Sequence, residues 1–156
     1  MYPLWKRPWR PESTQDPEHK TVIIYSMGNA VSNQRQGFSS RIATAHTEDG
    51  ILFTVTFEKY SDGTVYLADV SVLPTWVNKF YNDNHRDEYN ILPLDYTKVD
   101  QWPEMFSIGD TTYEAAKKSY DRTMDIVGEG LQEVQDYLAQ QKSQRDADYL
   151  ALANAA

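Results

Sequence analysis

Ile51-Leu52-Phe53-Thr54-Val55-Thr56-Phe57 alternates strictly, with Ile51, Phe53, Val55 and Phe57 falling on one side of an extended chain. Ser61-Asp62-Gly63-Thr64 follows, and Asp-Gly is a pair suited to a tight turn between strands. Val65 to Leu73 then supplies a returning strand that Pro74 is expected to end. An antiparallel hairpin with one strongly apolar face is the result, and the rest of the chain must cover that face.

A second apolar pattern, suited to core or interface packing, lies downstream. Ala116, Tyr120, Met124, Val127, Leu131, Val134 and Leu138 recur at intervals of three and four, the stripe of a long amphipathic helix. Thr111 and Glu114 have capping-box spacing at its start. Gly128 and Gly130 weaken its middle, a mark of close packing or a bend. From Lys142 to Ala156 the stripe is lost, and a frayed tail is expected. Between hairpin and helix, Asn78 to Asn90 reads as a polar surface loop. Ile91-Leu92-Pro93-Leu94 reads as a short edge strand, and Gln101 to Asp110 as a connection.

Upstream, Thr21-Val22-Ile23-Ile24 reads as the start of a buried strand over 21–27. Residues 1–20 carry Pro3, Pro8, Pro11 and Pro17 and are expected to be extended or poorly ordered. The organisation is then an N-terminal segment at 1–20, one domain over 21–141 and a tail at 142–156. The fold class is α/β or α+β: a partial layered sandwich of one buried strand, an antiparallel hairpin and a long C-terminal helix.

The totals restrict function. At 156 residues the chain suits one ordinary domain. There is no cysteine, so disulfides and thiolate metal sites are excluded. The net charge of -8 argues against nucleic acid, whose phosphates need clustered Lys and Arg. No apolar run is long enough to span a bilayer, and Met1 to Pro11 lacks the apolar stretch of a secretory signal. The location of the protein is not legible. Eleven tyrosines and four tryptophans imply an amphipathic core whose hydroxyl and indole groups need partners.

The densest polar chemistry is Tyr25-Ser26-Met27-Gly28-Asn29-Ala30-Val31-Ser32-Asn33-Gln34-Arg35, at the end of the expected first strand. Strand ends are where α/β proteins gather ligand contacts. The competing reading is a polar turn whose Asn and Ser side chains satisfy loose backbone groups. His19, His46 and His85 form no His-x-His or His-x-x-x-His pair. Glu48-Asp49 near His46 is conceivable as an acid/base pair or metal site, with a polar turn before Gly50 as the plainer reading. Ser26 and Ser32 lack the context of a serine nucleophile. No catalytic and no metal-binding residue is assigned.

The Tyr25–Arg35 segment resembles the Tyr-Ser-Leu-Gly-Asn-Phe-x-Ser-Asn-Gln element of CapA-type proteins, the bacterial poly-γ-glutamate capsule proteins of the calcineurin-like metallophosphatase superfamily. Thr47-Glu48-Asp49-Gly50-Ile51, Pro74-Thr75-Trp76-Val77 and Ile91-Leu92-Pro93-Leu94 are similar to further elements of that family, in order, so that the resemblance covers about residues 20–140. It departs at Met27 and Ala30, where the family has Leu and Phe. The family's metal-ligand motifs lie mostly upstream of this strand, and Met1 to Lys20 does not match them.

The resemblance implies a layered α/β sandwich and a role in synthesis or processing of poly-γ-glutamate or a similar polymer. It implies substrate-binding positions at Asn29, Asn33, Gln34 and Arg35, with Arg35 holding a carboxylate and the amides holding peptide groups. Divalent metal ions belong to full-length members, which are often extracytoplasmic or membrane-associated. No cofactor is expected in this chain, which is therefore not expected to be catalytic alone. The implied partners are an N-terminal metallophosphatase-like portion or another chain, and a γ-glutamyl polymer. The alternative is a noncatalytic interaction module that pairs through a sheet edge and the helix stripe.

Overall fold

The computed structural model describes residues 22–24, 26–28, 33–37 and 39–155. Its architecture is mixed α/β: a three-stranded antiparallel sheet in the order β1-β2-β3, with one long helix across one face. The strands are β1 (Asp49–Lys59), β2 (Val65–Tyr81) and β3 (Asp87–Pro93). A 3-10 turn, Ala45–Glu48, leads into β1; a second, Tyr96–Gln101, leads into the short helix α1 (Trp102–Met105). Helix α2 spans Asp110–Ala155.

The first hairpin forms as its alternation requires. Ile51 pairs with Pro74, Phe53 with Val72 and Val55 with Val70, which puts these six on one face together with Trp76 opposite Asp49. Gly63 takes the turn's left-handed position at φ +92°. The Asp62 carboxylate accepts from the Thr64 N–H at 2.9 Å and the Thr64 hydroxyl at 2.6 Å. A bulge interrupts the ladder: Thr56 pairs with Asp69 but Phe57 with Leu67, leaving Ala68 over. The expected apolar face stops there, and Phe57 is 65% exposed.

Pro74 does not end β2, which runs seven residues further to Tyr81. Hydrogen-bond parity explains this. Ile51 donates its N–H to Met27 O at 2.9 Å, away from β2, so Ile51 and Pro74 are a non-hydrogen-bonded pair. The missing donor of Pro74 therefore falls on the side of β3, one residue beyond that strand's end at Pro93. Pro74 O faces the same way and accepts from Leu94 N at 2.8 Å. Proline is tolerated at a ladder end, where no N–H is needed.

The expected loop at 78–90 is mostly strand. Asn78 to Tyr81 belong to β2 and Asp87 to Asn90 to β3, with only 82–86 turning between them. Asn82 organises the turn, its side-chain oxygen accepting from Asn84 N at 2.9 Å and Arg86 N at 3.0 Å. His85 sits at φ +54°. The edge strand expected at 91–94 is thus longer and begins earlier.

Helix α2 buries Ala116, Val127, Val134 and Leu138 against the sheet. Two clusters result. Trp76, Leu92, Leu94, Trp102 and Ala116 form one, with Tyr113 and Tyr120 packed around it. Val70, Val134 and Leu138 form the other, with Val22, Phe53, Leu67 and Leu131 alongside. Full burial of a side chain such as Leu92, Leu94 or Val70 contributes about 1.5–3 kcal/mol. Gln135 caps Val70 O at 2.9 Å, a carbonyl that faces the side of β2 where β3 is absent. The helix stripe is consumed inside the chain and cannot also serve as a docking face.

Helix α2 runs on through the expected tail to Ala155. Arg145 lies over the Tyr66 ring at 4.3 Å and Lys142 reaches Glu58 at 3.4 Å, tying this part of the helix to the first hairpin.

The strand expected over 21–27 forms no ladder among the described residues. It contributes one bridge, Gly28 opposite Gly50, and half-buried side chains at Val22, Ile23 and Ile24. Gly28 sits at φ +75°, and a Cβ there would lie 2.5 Å from Asp49 O. Only glycine allows that approach. The segment expected at 1–20 lies outside the described residues.

Candidate functional site at the head of β1

Where β1 begins, its partner strand has a gap. Residue 48 would be the hydrogen-bonded partner of Val77, but Glu48 is still in the 3-10 turn. Val77 O is left facing outward, and Arg35 Nη2 donates to it. Arg35 Nη1 donates to Glu48 Oε2 at 3.3 Å. The same Glu48 carboxylate accepts from Trp76 Nε1 at 3.1 Å and from Gln36 N at 3.2 Å. A loop without regular structure is thereby anchored on the sheet by one carboxylate with three donors.

The four residues singled out as substrate-binding differ in placement. Asn33 donates to the Tyr89 hydroxyl at 2.7 Å. Arg35 is half-buried and engaged as described. Gln34 is exposed. Asn29 lies outside the described residues. Asn33 and Arg35 thus share one corner of the sheet, yet Arg35 spends two of its nitrogens on Glu48 and Val77. A ligand carboxylate at Arg35 would compete with Glu48. Asn33 Oδ1 and Arg35 Nε are buried without a partner among the described residues.

Glu48 and Asp49 do not act as a pair. Adjacent residues entering a strand diverge, and Asp49 turns to α2. It is buried and accepts from Ser119 Oγ at 2.6 Å, Arg122 Nη2 at 2.7 Å and Arg122 Nε at 2.9 Å. Thr123 donates to Ser119 O at 2.9 Å, one turn back. His46, Asp49 and Thr123 line a cavity of about 20 Å³, enough for a single water. His46 Nδ1 is buried without a partner among the described residues. No group of three or more His, Cys, Asp or Glu among the described residues is placed to hold a metal ion.

A separate open cleft of about 730 Å³ lies between the β1–β2 turn and the last turns of α2, lined by Tyr60, Asp62, Tyr66, Arg145, Asp146 and Asp148 among others. Its acids outnumber its one arginine, so it does not favour a polyanion.

Tyr89, which helps hold the loop, and Ser119 and Arg122, which hold Asp49, had no marker in the sequence, and Glu48 and Trp76 were noticed without any sign that they hold Arg35 and Gln36. Their association is tertiary. The only usable sign was composition: indole and phenol groups near a core need polar partners. No helix among the described residues is long and apolar enough to cross a membrane. No protein-family model, curated protein or solved structure matches the chain.

Proposed function

We propose that this chain is a noncatalytic piece of the CapA type, associated with poly-γ-glutamate or a similar cell-surface polymer, that completes an assembly instead of turning over substrate. The observation that carries this reading is the sheet's second face. Leu52, Tyr81, Tyr89 and Ile91 lie on the side away from α2, where Leu52 and Tyr81 are 56% and 69% exposed around the buried Thr75 and Val77. An antiparallel sheet can leave one face to water, but large apolar side chains exposed together on that face mark a contact surface. On the resemblance, the cover for the exposed part of this face would be a metallophosphatase-like portion carrying the metal ligands. Polymer contact, on this reading, falls at the Asn33–Arg35 corner beside Tyr89, at the rim of that face.

The competing reading, an interaction module of some other assembly, draws on the same face and lacks the polymer. Two measurements separate them. The purified chain is expected to contain no stoichiometric Mn, Fe or Zn and to leave γ-glutamyl oligomers intact. Co-produced with the metallophosphatase-like portion of a CapA-type protein, it is expected to co-purify, and Leu52→Asp to abolish this. Turnover by the chain alone would overturn the noncatalytic reading. Failure to co-purify would overturn the CapA assembly.

A further inference from the structure

The two outer edges of the sheet differ. That of β1 is met at its head by Met27 and Gly28, with Val22 packed into the neighbouring core cluster. That of β3 meets no strand among the described residues. Two bonds fix which residues face this edge. Leu94 N donates to Pro74 O at 2.8 Å, and Asn82 N to Arg86 O at 3.0 Å. Both belong to the even-numbered set of the β2–β3 register, so Glu88, Asn90 and Leu92 direct their backbone groups to β2. Asp87, Tyr89 and Ile91 direct theirs outward. Pro93 shares their parity and has only a carbonyl to offer.

We propose that this edge pairs with the same edge of a second copy, antiparallel about a two-fold axis at Asn90, joining two three-stranded sheets into one. Tyr89 then lies opposite Ile91 of the second copy, and Ile91 opposite its Tyr89, each pair exchanging both backbone bonds. An aromatic residue opposite a β-branched one is a favourable cross-strand pair. Asp87 falls opposite Pro93, where its N–H meets the proline carbonyl and the missing proline donor costs one bond at each end.

Charge agrees with this register. Asp87 and Glu88 oppose Pro93 and Leu92, so no like charges face one another. His85 and Arg86 come beside Leu94 and Asp95 of the second copy. Arg86 makes no ion pair among the described residues, and Asp95 shares its charge with Lys98 at 3.2 Å. Acids and proline are the usual guards of an edge, but here they stand at its ends and leave Tyr89-Asn90-Ile91 open. A seven-residue edge buries less than a stable dimer needs, so the pairing is populated only at high concentration. Tyr89 and Ile91 also lie on the face of the proposed assembly, but the pairing uses their outward backbone groups and does not require that reading.

Sedimentation of the full chain up to millimolar concentration tests it, with the mass expected to rise toward twice the 18.0 kDa of one copy. Ile91→Pro removes an outward N–H and leaves the β2 ladder intact; with both copies losing a bond, association weakens about tenfold or more. Circular dichroism and melting of the monomer are expected to stay as in the parent. Ile91→Lys, which places a solvated charge there, is expected to give the same loss if the proline variant does not fold. Leu52→Asp, on β1, is expected to leave the dimer unchanged. A monomer at every concentration overturns the proposal. So does a dimer that survives both Ile91 variants, or one that depends on Leu52.

Discussion

Asp49 and Arg122 meet through two parallel hydrogen bonds, 2.7 and 2.9 Å, between the first residue of β1 and the fourth turn of α2. The carboxylate is buried, and Ser119 supplies a third donor. Removing one partner of a buried pair costs about 3–5 kcal/mol, because the other charge remains. Arg122 is partly exposed, which lowers the figure. Arg122→Ala is expected to destabilise by about 2–3 kcal/mol in urea denaturation. Ser119→Ala is expected to cost about 1 kcal/mol. Equal and small losses would mean that the pair is solvated.

Gly28→Ala is expected to destabilise by about 1–3 kcal/mol, through a left-handed backbone and a clash with Asp49 O. Gly37→Ala is the control, with φ +77° but open space around it. Thermal melting is expected to fall further for Gly28→Ala. Identical shifts would remove the close approach as the cause.

Arg35→Lys keeps the charge but loses the fork that reaches Glu48 and Val77 O together. The variant is expected to lose about 1 kcal/mol or more. Faster amide exchange at Gln36, whose N–H also bonds Glu48, is the measurement.

Asp62 and Asp95 titrate below the ordinary carboxylate value of 3.8, held there by the Thr64 and Thr97 hydroxyls and, for Asp95, by Lys98. A depressed folded pKa stabilises fully above the unfolded value and is lost as pH falls through the folded one. Stability is thus expected to fall on acidification below 3.8, and Asp62→Asn and Asp95→Asn to flatten that limb. Lys79, raised above 10.5 by its hydrogen bond to Asp87, acts at the other end. Its contribution is complete below 10.5 and lost as pH climbs through the raised value. Melting between pH 2 and 12 checks both limbs.

The hairpin was legible because its signals are local: alternation from Ile51 to Val55 and an Asp-Gly turn. The helix stripe was legible for the same reason. Pro74 misled, because whether a proline can stay in a strand depends on which way its missing N–H points, and that is set by Ile51 and Met27. Asn78 to Asn90 misled because polar residues on a half-solvated hairpin look like a loop. The tail of α2 is held by Tyr66 and Glu58, residues on another element. At the site, residue density pointed to Asn33 and Arg35 but not to Glu48, Trp76 and Tyr89. Asp49 was noticed beside the wrong partner, since Arg122 lies 73 residues away.

That separation has a consequence for a chain being synthesised. Both hairpins leave the ribosome before α2, and each closes with short-range contacts. Their apolar face has no cover until the turns bearing Arg122, Val134 and Leu138 emerge. At roughly 5–20 residues per second, that interval after Asp49 lasts several seconds. During it the nascent sheet is a sticky surface with open edges, the kind of species that general chaperones hold. Soluble yield is therefore expected to respond to chaperone supply during synthesis.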